Sequence, residues 1–307
     1  MSALTETHGA PPSALRYMLR AFRPSPGWHA ERGFPDLRVT WRGFRIGDDV
    51  VDRLQGLAGN QHAEAKDGAS LLVPHITGFR VLMAMLTHPA WPLPIWRALQ
   101  VRNRLLLHHP IRTNDTFDLV AGVAGWRVLE KGLEVDLHAR LREGEACAWE
   151  SVVTFYYRGR FGSATQHGAA LGAAAIAPVL DDSARKTAQW CVDGGSRWQF
   201  GALTGDYNGL HQWDWYARRF GFPGAFAHPQ RIAAQCLAHL PSPGPAPQQL
   251  DLWIKGPVVF GSEVVQRESR WAAGAGSDFA LWVAGDARPA LVGSWQHHRG
   301  DEPASAP

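Results

Sequence analysis

Two stretches of the chain carry apolar residues at helical spacing, and strand-like segments follow each. From Pro74-His75 onward, Ile76, Phe79, Leu82, Met83 and Leu86 recur at three- and four-residue steps until Pro89. That spacing predicts a helix with one buried face. His228-Pro229 opens a second such stretch, with Ile232, Cys236, Leu237 and Leu240 on one face and Pro241 as the stop. After the first helix, Leu133, Val135, Leu137, Ala139 and Leu141 alternate with Glu134, Asp136, His138 and Arg140, the period of a strand with one wet face. The segment from Ala148 to Tyr157 is rich in aromatic and β-branched residues and reads as another strand. After the second helix, strands are predicted at Leu250–Lys255, Glu263–Trp271, Phe279–Ala284 and Leu291–Gln296.

The two halves therefore share one order of elements: a helix, then about four antiparallel strands. HPIRTNDTFDLV (109–120) and GPVVFGSEVVQR (256–267) align without a gap from Pro110 and Pro257, with proline, hydrophobic pair and polar turn at matching places. The expected division is an N-terminal tail with a short helix over 1–35, a first unit over 36–160, and an Ala/Gly-rich linker with a DDSARK cluster over 161–189. A second unit over 190–297 and a disordered tail over 298–307 complete it. His297-His298 is assigned to that tail rather than to a metal site.

Composition narrows the class. The 307 residues are 45% hydrophobic and 19% charged, an ordinary globular balance that excludes a disordered or collagenous chain. A net charge of +3 is too mild for a nucleic-acid protein and suits an anionic ligand. Cys147, Cys191 and Cys236 are odd in number and far apart, so they predict neither a disulfide framework nor a CxxC metal site, and a cytoplasmic location is expected. No stretch is long and apolar enough for a membrane span, and no signal peptide is expected. Ser13 to Arg23, set between prolines, reads as an amphipathic docking helix rather than a transit peptide. The fourteen tryptophans suggest large aromatic packing surfaces, and the histidines show no metal-ligand spacing.

Candidate chemistry concentrates in residues 201–240. Asp206, Asn208 and His211 fall in one turn-rich loop, which Gly205, Asn208 and Gly209 would let bend tightly. Asp and Asn are common in turns for their own backbone bonds, so the D-x-N-x-x-H spacing alone does not identify a site. The surrounding order is more specific: Thr-Gly-Asp-x-Asn-x-x-His, then Tyr-Ala-x-x-x-Gly-Phe-Pro, then Ala-His at the mouth of an apolar helix.

That order resembles the MaoC-like, (R)-specific enoyl-CoA hydratase (hydratase 2) family, most strongly over residues 203–240 and more weakly through Lys255-Gly256-Pro257 to Trp295. The first half resembles a degenerate copy, since nothing around Arg53–His62 reproduces the motif. The resemblance implies an α+β double-hotdog fold, in which each long helix is wrapped by a curved antiparallel sheet. It also implies hydration of trans-2-enoyl thioesters to (3R)-hydroxyacyl thioesters, or the reverse, with acyl-CoA or an acyl-carrier-protein thioester as substrate. No cofactor or metal is expected, and a homodimer of double-hotdog chains is compatible with it. Asp206 and His211 match the family's acid–base pair, and Asn208 would pin the loop or the water. Gly205, Gly209, His228, Pro229 and Gln230 are the supporting and substrate-binding candidates. Two positions depart from the pattern. Gly209 stands where proline is usual, which is expected to loosen the loop. Pro229 stands where the family has a glycine whose N–H bonds the thioester oxygen, and proline has no N–H. The helix start, with the N–H groups of Gln230 and Arg231, would then have to supply the donor. A non-catalytic or weakly active acyl-thioester-binding protein is the alternative that Pro229 favours; thioester hydrolysis is a third, disfavoured by the Asp–Asn–His loop.

Overall fold

The computed structural model describes residues 3–59, 66–168, 176–181, 183–271 and 275–297. The expected tail over 298–307, His298, His62 and the middle of the expected linker lie outside these residues; His297, expected in the tail, instead ends a strand and pairs with Gln248.

The first half contains β1 (Leu4–His8), α1 (Ala14–Ala21), β2 (Leu37–Phe44), α2 (Asp48–Ala58) and α3 (Lys66–Leu86). The strands β3 (Ala98–Leu107), β4 (Phe117–Leu129), β5 (Gly132–Glu143) and β6 (Ala146–Arg158) follow, with the short β7 (Thr165–Gly168) paired to β4. The second half contains β8 (Arg185–Cys191), α4 (Arg197–Thr204), α5 (Gly209–Gln212), α6 (Asp214–Arg219), α7 (Pro229–Ala238) and β9 (Gln248–Ile254). It ends with β10 (Glu263–Arg270), β11 (Gly276–Val283) and β12 (Leu291–His297).

The main strand path runs β1-β2-β4-β5-β6-β3-β9-β12-β11-β10-β8. The order β2-β4-β5-β6-β3 on one side of the β3–β9 seam is repeated as β8-β10-β11-β12-β9 on the other. The gapless alignment seen in the sequence marks the entry into β4 and into β10, which hold the same place in the two repeats. Among the described residues every strand pairing is antiparallel except β1 with β2. The seam is itself a regular antiparallel ladder from Arg102↔Trp253 to Leu107↔Gln248, and Arg104 Nε crosses it to Asp251 Oδ1 at 2.7 Å.

The long helix of the first half packs across β2 to β6. Ile76, Phe79, Leu82 and Leu86 are buried, as their spacing required. The helix begins earlier than expected, because Pro74 lies inside it rather than at its start. Proline ends a helix only where nothing else holds the preceding turn; here Leu71, Leu72 and Val73 are packed into the core, and the Trp149 indole N–H donates to the Leu71 carbonyl at 2.9 Å. In the second half, α7 carries Ile232, Cys236 and Leu237 into a core shared with Leu250, Val264 and Phe279, and it lies against α2 and α3. Arg185 and Lys186, read from sequence as linker charges, start β8, which pairs with β10. Among the described residues no helix is long and apolar enough to cross a membrane.

Candidate active site

The site is built at the start of α7, where three short helices bring the Asp206 loop against it. Gly205 closes α4 in the left-handed region (φ +74°), and a Cβ there would meet the Tyr17 hydroxyl and the Arg80 side chain. The Tyr17 hydroxyl donates to the Gly205 carbonyl, and Arg80 Nη2 donates to the Ala202 carbonyl at 3.1 Å. Elements of the first half thus hold the turn that leads into Asp206. Thr204 Oγ1 accepts from the Asp206 N–H at 3.0 Å, and Asp206 Oδ1 accepts from the Asn208 N–H at 2.9 Å. Asn208 Oδ1 in turn accepts from the Leu210 N–H at 3.1 Å, which caps α5. These bonds fix the loop that the glycines let bend.

Three ionisable side chains converge. Asp206 Oδ2 lies 3.3 Å from His228 Nε2 and 4.0 Å from His211 Nε2. The partners set the tautomers. His228 Nδ1 accepts from the Gln230 N–H at 3.3 Å, so its proton is on Nε2 and points at Asp206. The His211 Nδ1–H donates to the Phe226 carbonyl at 2.9 Å, which leaves a lone pair on Nε2 facing the carboxylate. Burial, then the neighbouring His228, pushes the His211 pKa down to about 4, so the ring is neutral near pH 7. Burial alone would raise the Asp206 carboxyl, but the His228 bond, the two imidazoles and the Asn208 N–H outweigh it and hold the group below its ordinary value. The result is a carboxylate beside a neutral imidazole lone pair, with a gap of 4.0 Å that one water can bridge.

Asp206, His211 and His228 are close enough together to hold a metal ion. The tautomers argue otherwise. Binding a metal through His228 Nε2 would move its proton to Nδ1 and break the cap on the Gln230 N–H.

The trio opens onto a cleft of about 320 Å³. Its walls come from both halves: Phe79, Met83 and Leu86 of α3, Phe155 of β6, and Ile232 and Leu291 from the second repeat. The cleft is mostly apolar, with Gln100, Asp206, Asn208, His211, His228 and Lys255 as its polar side chains.

No protein-family model and no curated protein matches this sequence. Solved structures do match in shape. HtdX of Mycobacterium tuberculosis superposes with a TM-score of 0.69 at 20% identity, over 85% of this chain and all of that one. A MaoC-like dehydratase from Phytophthora capsici gives 0.72 at 15% identity, over 86% and 95%. The peroxisomal multifunctional enzyme type 2 of Drosophila melanogaster gives 0.64 at 16% identity, over 85% of this chain and 48% of that one. The chain has the double-hotdog fold of the MaoC-like dehydratases.

Within that MaoC-like fold, Asp206, Asn208, His211, His228 and Pro229 line the cleft, whereas Gly205, Gly209 and Gln230 do not. Two expectations need correcting. Gly209 does not loosen the loop: it is the first residue of α5, and a Cβ there would stand 2.7 Å from the Tyr216 ring, so glycine permits close packing. The N–H groups of Gln230 and Arg231 do not replace the donor missing at Pro229, because the first bonds His228 Nδ1 and the second bonds the His228 carbonyl at 2.9 Å. Gln230 is fully buried, and its amide meets His75 Nε2 at 2.8 Å, tying α7 to α3. Burial pushes the His75 pKa down to about 3, so its Nε2 accepts and the Gln230 amide donates. The contributions of Thr204 and of the Phe226 carbonyl were not read from sequence. Thr204 stands inside the motif; a backbone acceptor leaves no mark in the side-chain pattern.

Proposed function

We propose that the protein adds water across trans-2-enoyl thioesters to give (3R)-hydroxyacyl thioesters, or runs the reverse dehydration, in the cytoplasm. The observation that carries this reading is the pairing of a buried carboxylate with a neutral imidazole lone pair, 4.0 Å apart, on the wall of an apolar cleft. A water held by Asp206 Oδ2 and His211 Nε2 attacks C3 as one of its protons is taken by the pair. The same pair returns a proton to C2, so no proton is lost overall and neither metal nor redox cofactor is required. His228 donates to Asp206 and keeps it ionised, and Asn208 fixes the loop. The acyl chain runs between the halves along Phe79, Met83 and Phe155, while Lys255 suits the phosphate-bearing carrier, CoA or carrier protein.

A second reading is a weakly active or non-catalytic thioester-binding protein. Pro229 favours it, since the helix start offers the thioester oxygen no N–H at that position. The Asn208 amide is a donor group on the same cleft wall. Incubation with crotonyl-CoA and longer enoyl-CoAs, following loss of the enoyl absorbance, separates the two. Turnover that disappears in Asp206→Asn supports the hydratase; saturable binding without turnover supports the binder.

A further inference from the structure

A second group of ionisable side chains lies on the outer face of the first half, away from the cleft lining. Along β5 and β6, Leu137, Ala139, Leu141 and Trp149 face the core, so His138, Arg140 and Glu150 face outward. In a regular strand Cys147, three residues before Glu150, would face the other way. The ladder slips there: Leu141 pairs with Trp149 but Arg142 pairs with Cys147, leaving Ala148 as an extra residue. Such a bulge re-aims a side chain. The Ala148 carbonyl accepts from the N–H of His108 at 2.9 Å and of His109 at 3.3 Å, which draws the end of β3 to the same spot. His108 Nε2 lies 3.2 Å from Glu150 Oε1, and His138 Nε2 and Arg140 Nε approach Glu150 Oε2 at 3.0 and 3.1 Å. One ligand atom each from His108, Cys147 and Glu150 fall within 4.8 Å of one another. Carboxylate, imidazoles and guanidinium would make an ordinary ion-pair cluster by themselves. The bulge adds a thiol beside these groups, and that thiol also donates to the Trp149 carbonyl at 3.4 Å.

We propose that His108, Cys147 and Glu150 form a binding site for a zinc-type divalent cation, with the fourth position open to water or to His138. Thiolate, imidazole and carboxylate are the donors that borderline-soft cations such as Zn²⁺ accept, and three protein ligands with an open position is a known coordination pattern for it. The Glu150 carboxylate binds as it stands. The thiol and the inward imidazole nitrogen each give up a proton to solvent as the ion enters. Arg140, more than half exposed, can swing out to remove its charge from the site.

The test uses the full chain, stripped with a chelator and titrated with Co²⁺ as a spectroscopic stand-in, then with Zn²⁺ by calorimetry. The wild type should develop the thiolate-to-cobalt charge-transfer absorption of a bound cysteine. Cys147→Ser should lose that absorption, and both Cys147→Ser and Glu150→Gln should bind Zn²⁺ at least ~10-fold more weakly. Asp206→Asn and Cys191→Ser should retain the absorption, which separates this site from the cleft histidines and from the exposed cysteine. Absence of the absorption in folded wild type at millimolar Co²⁺, or its persistence in Cys147→Ser, overturns the proposal. Glu150→Gln is the second variant should Cys147→Ser not fold.

Discussion

The two repeats use one strand order and one central helix, yet they prepare the start of that helix differently. In the second repeat α7 opens at His228-Pro229, with the His228 ring as its cap, and three short helices press the Asp206 loop onto it. In the first, α3 continues through Pro74-His75 and buries His75 against Gln230. The apolar face of a helix is enough to build a hotdog unit. Chemistry needs in addition a helix start left open to a cleft and a loop whose backbone is bonded tightly enough to hold a carboxylate beside an imidazole. The first half supplies the other requirement: α3 forms a wall of the cleft, and Tyr17 and Arg80 brace the turn before Asp206.

The most severe way to erase the difference between the repeats is to disable the pair. Asp206→Asn and His211→Ala are each expected to lower kcat/KM on enoyl-CoA by roughly 100- to 10,000-fold, the usual contribution of general acid–base assistance. Circular dichroism should stay unchanged, because neither side chain fills the apolar core. Wild-type turnover in both variants would mean that the chemistry lies elsewhere.

Pro229→Gly tests whether the second helix start is as open as it could be. It returns an N–H at the first position of α7, and no group inside the helix needs it, since those of Gln230 and Arg231 are already bonded. One preorganised oxyanion donor is worth ~100- to 1000-fold in rate. Part of that should be recovered, about 10-fold or more in kcat, measured beside thermal melts because glycine also loosens the helix start. A folded variant with an unchanged or lower rate would assign the thioester oxygen to another donor, the Asn208 amide first.

Both central helices, the strands β5, β6 and β9 to β12, and the loop pair Asp206 and His211 are legible in the sequence, because each leaves a periodic or closely spaced mark. The start of α3 is not, because Pro74 outweighs every local signal while the packing of Leu71 to Val73 that overrides it is tertiary. Nor is β8, whose Arg185 and Lys186 look like a linker until β10 lies beside them. The part taken by His228 was readable as a position but not as a hydrogen bond to Asp206. That bond depends on its ring capping Gln230, which only the folded helix start defines. Neither was the Cys147 bulge, since a slip of one residue between strands has no sequence period.

Acid should weaken the link between the repeats. His75 and His211 have folded pKa values of about 3 and about 4, both depressed by burial from an ordinary 6.5. The unfolded chain therefore binds protons first as pH falls, so stability is complete above about 6.5 and declines toward the folded values. At pH 5 each histidine should cost roughly 2 kcal/mol. Urea midpoints at pH 7.5 and pH 5, compared between the wild type and His75→Gln, isolate the His75 part, because burial also pushes His8, His88 and His239 down while Cys147 and Glu150 push His108 up. In His75→Gln, which can still accept from the Gln230 amide, the acid-linked change should be less destabilising by roughly 2 kcal/mol. An equal change in both proteins would mean that the His75 imidazole is not held neutral.

The smallest expected effect is on selectivity, and it asks whether the first repeat only braces the second or also reads the substrate. Met83 and Phe79 stand on the face of α3 that lines the cleft, and Phe155 of β6 lies beside them. Met83 is half-buried and unbranched, so it can be replaced by a larger ring without opening a hole in the core. Met83→Trp should shorten the channel while leaving Asp206 and His211 in place. A change of this size in an apolar pocket is worth about 10-fold in kcat/KM between substrates. The four-carbon enoyl-CoA should keep close to its wild-type rate, and long-chain enoyl-CoAs should lose about that factor, chiefly through KM. Equal losses on short and long substrates would place the damage at the reacting centre. No loss on either would mean that the acyl chain leaves the cleft by another wall and that the first repeat braces the second, through Tyr17, Arg80 and His75 among other contacts, without reading the substrate.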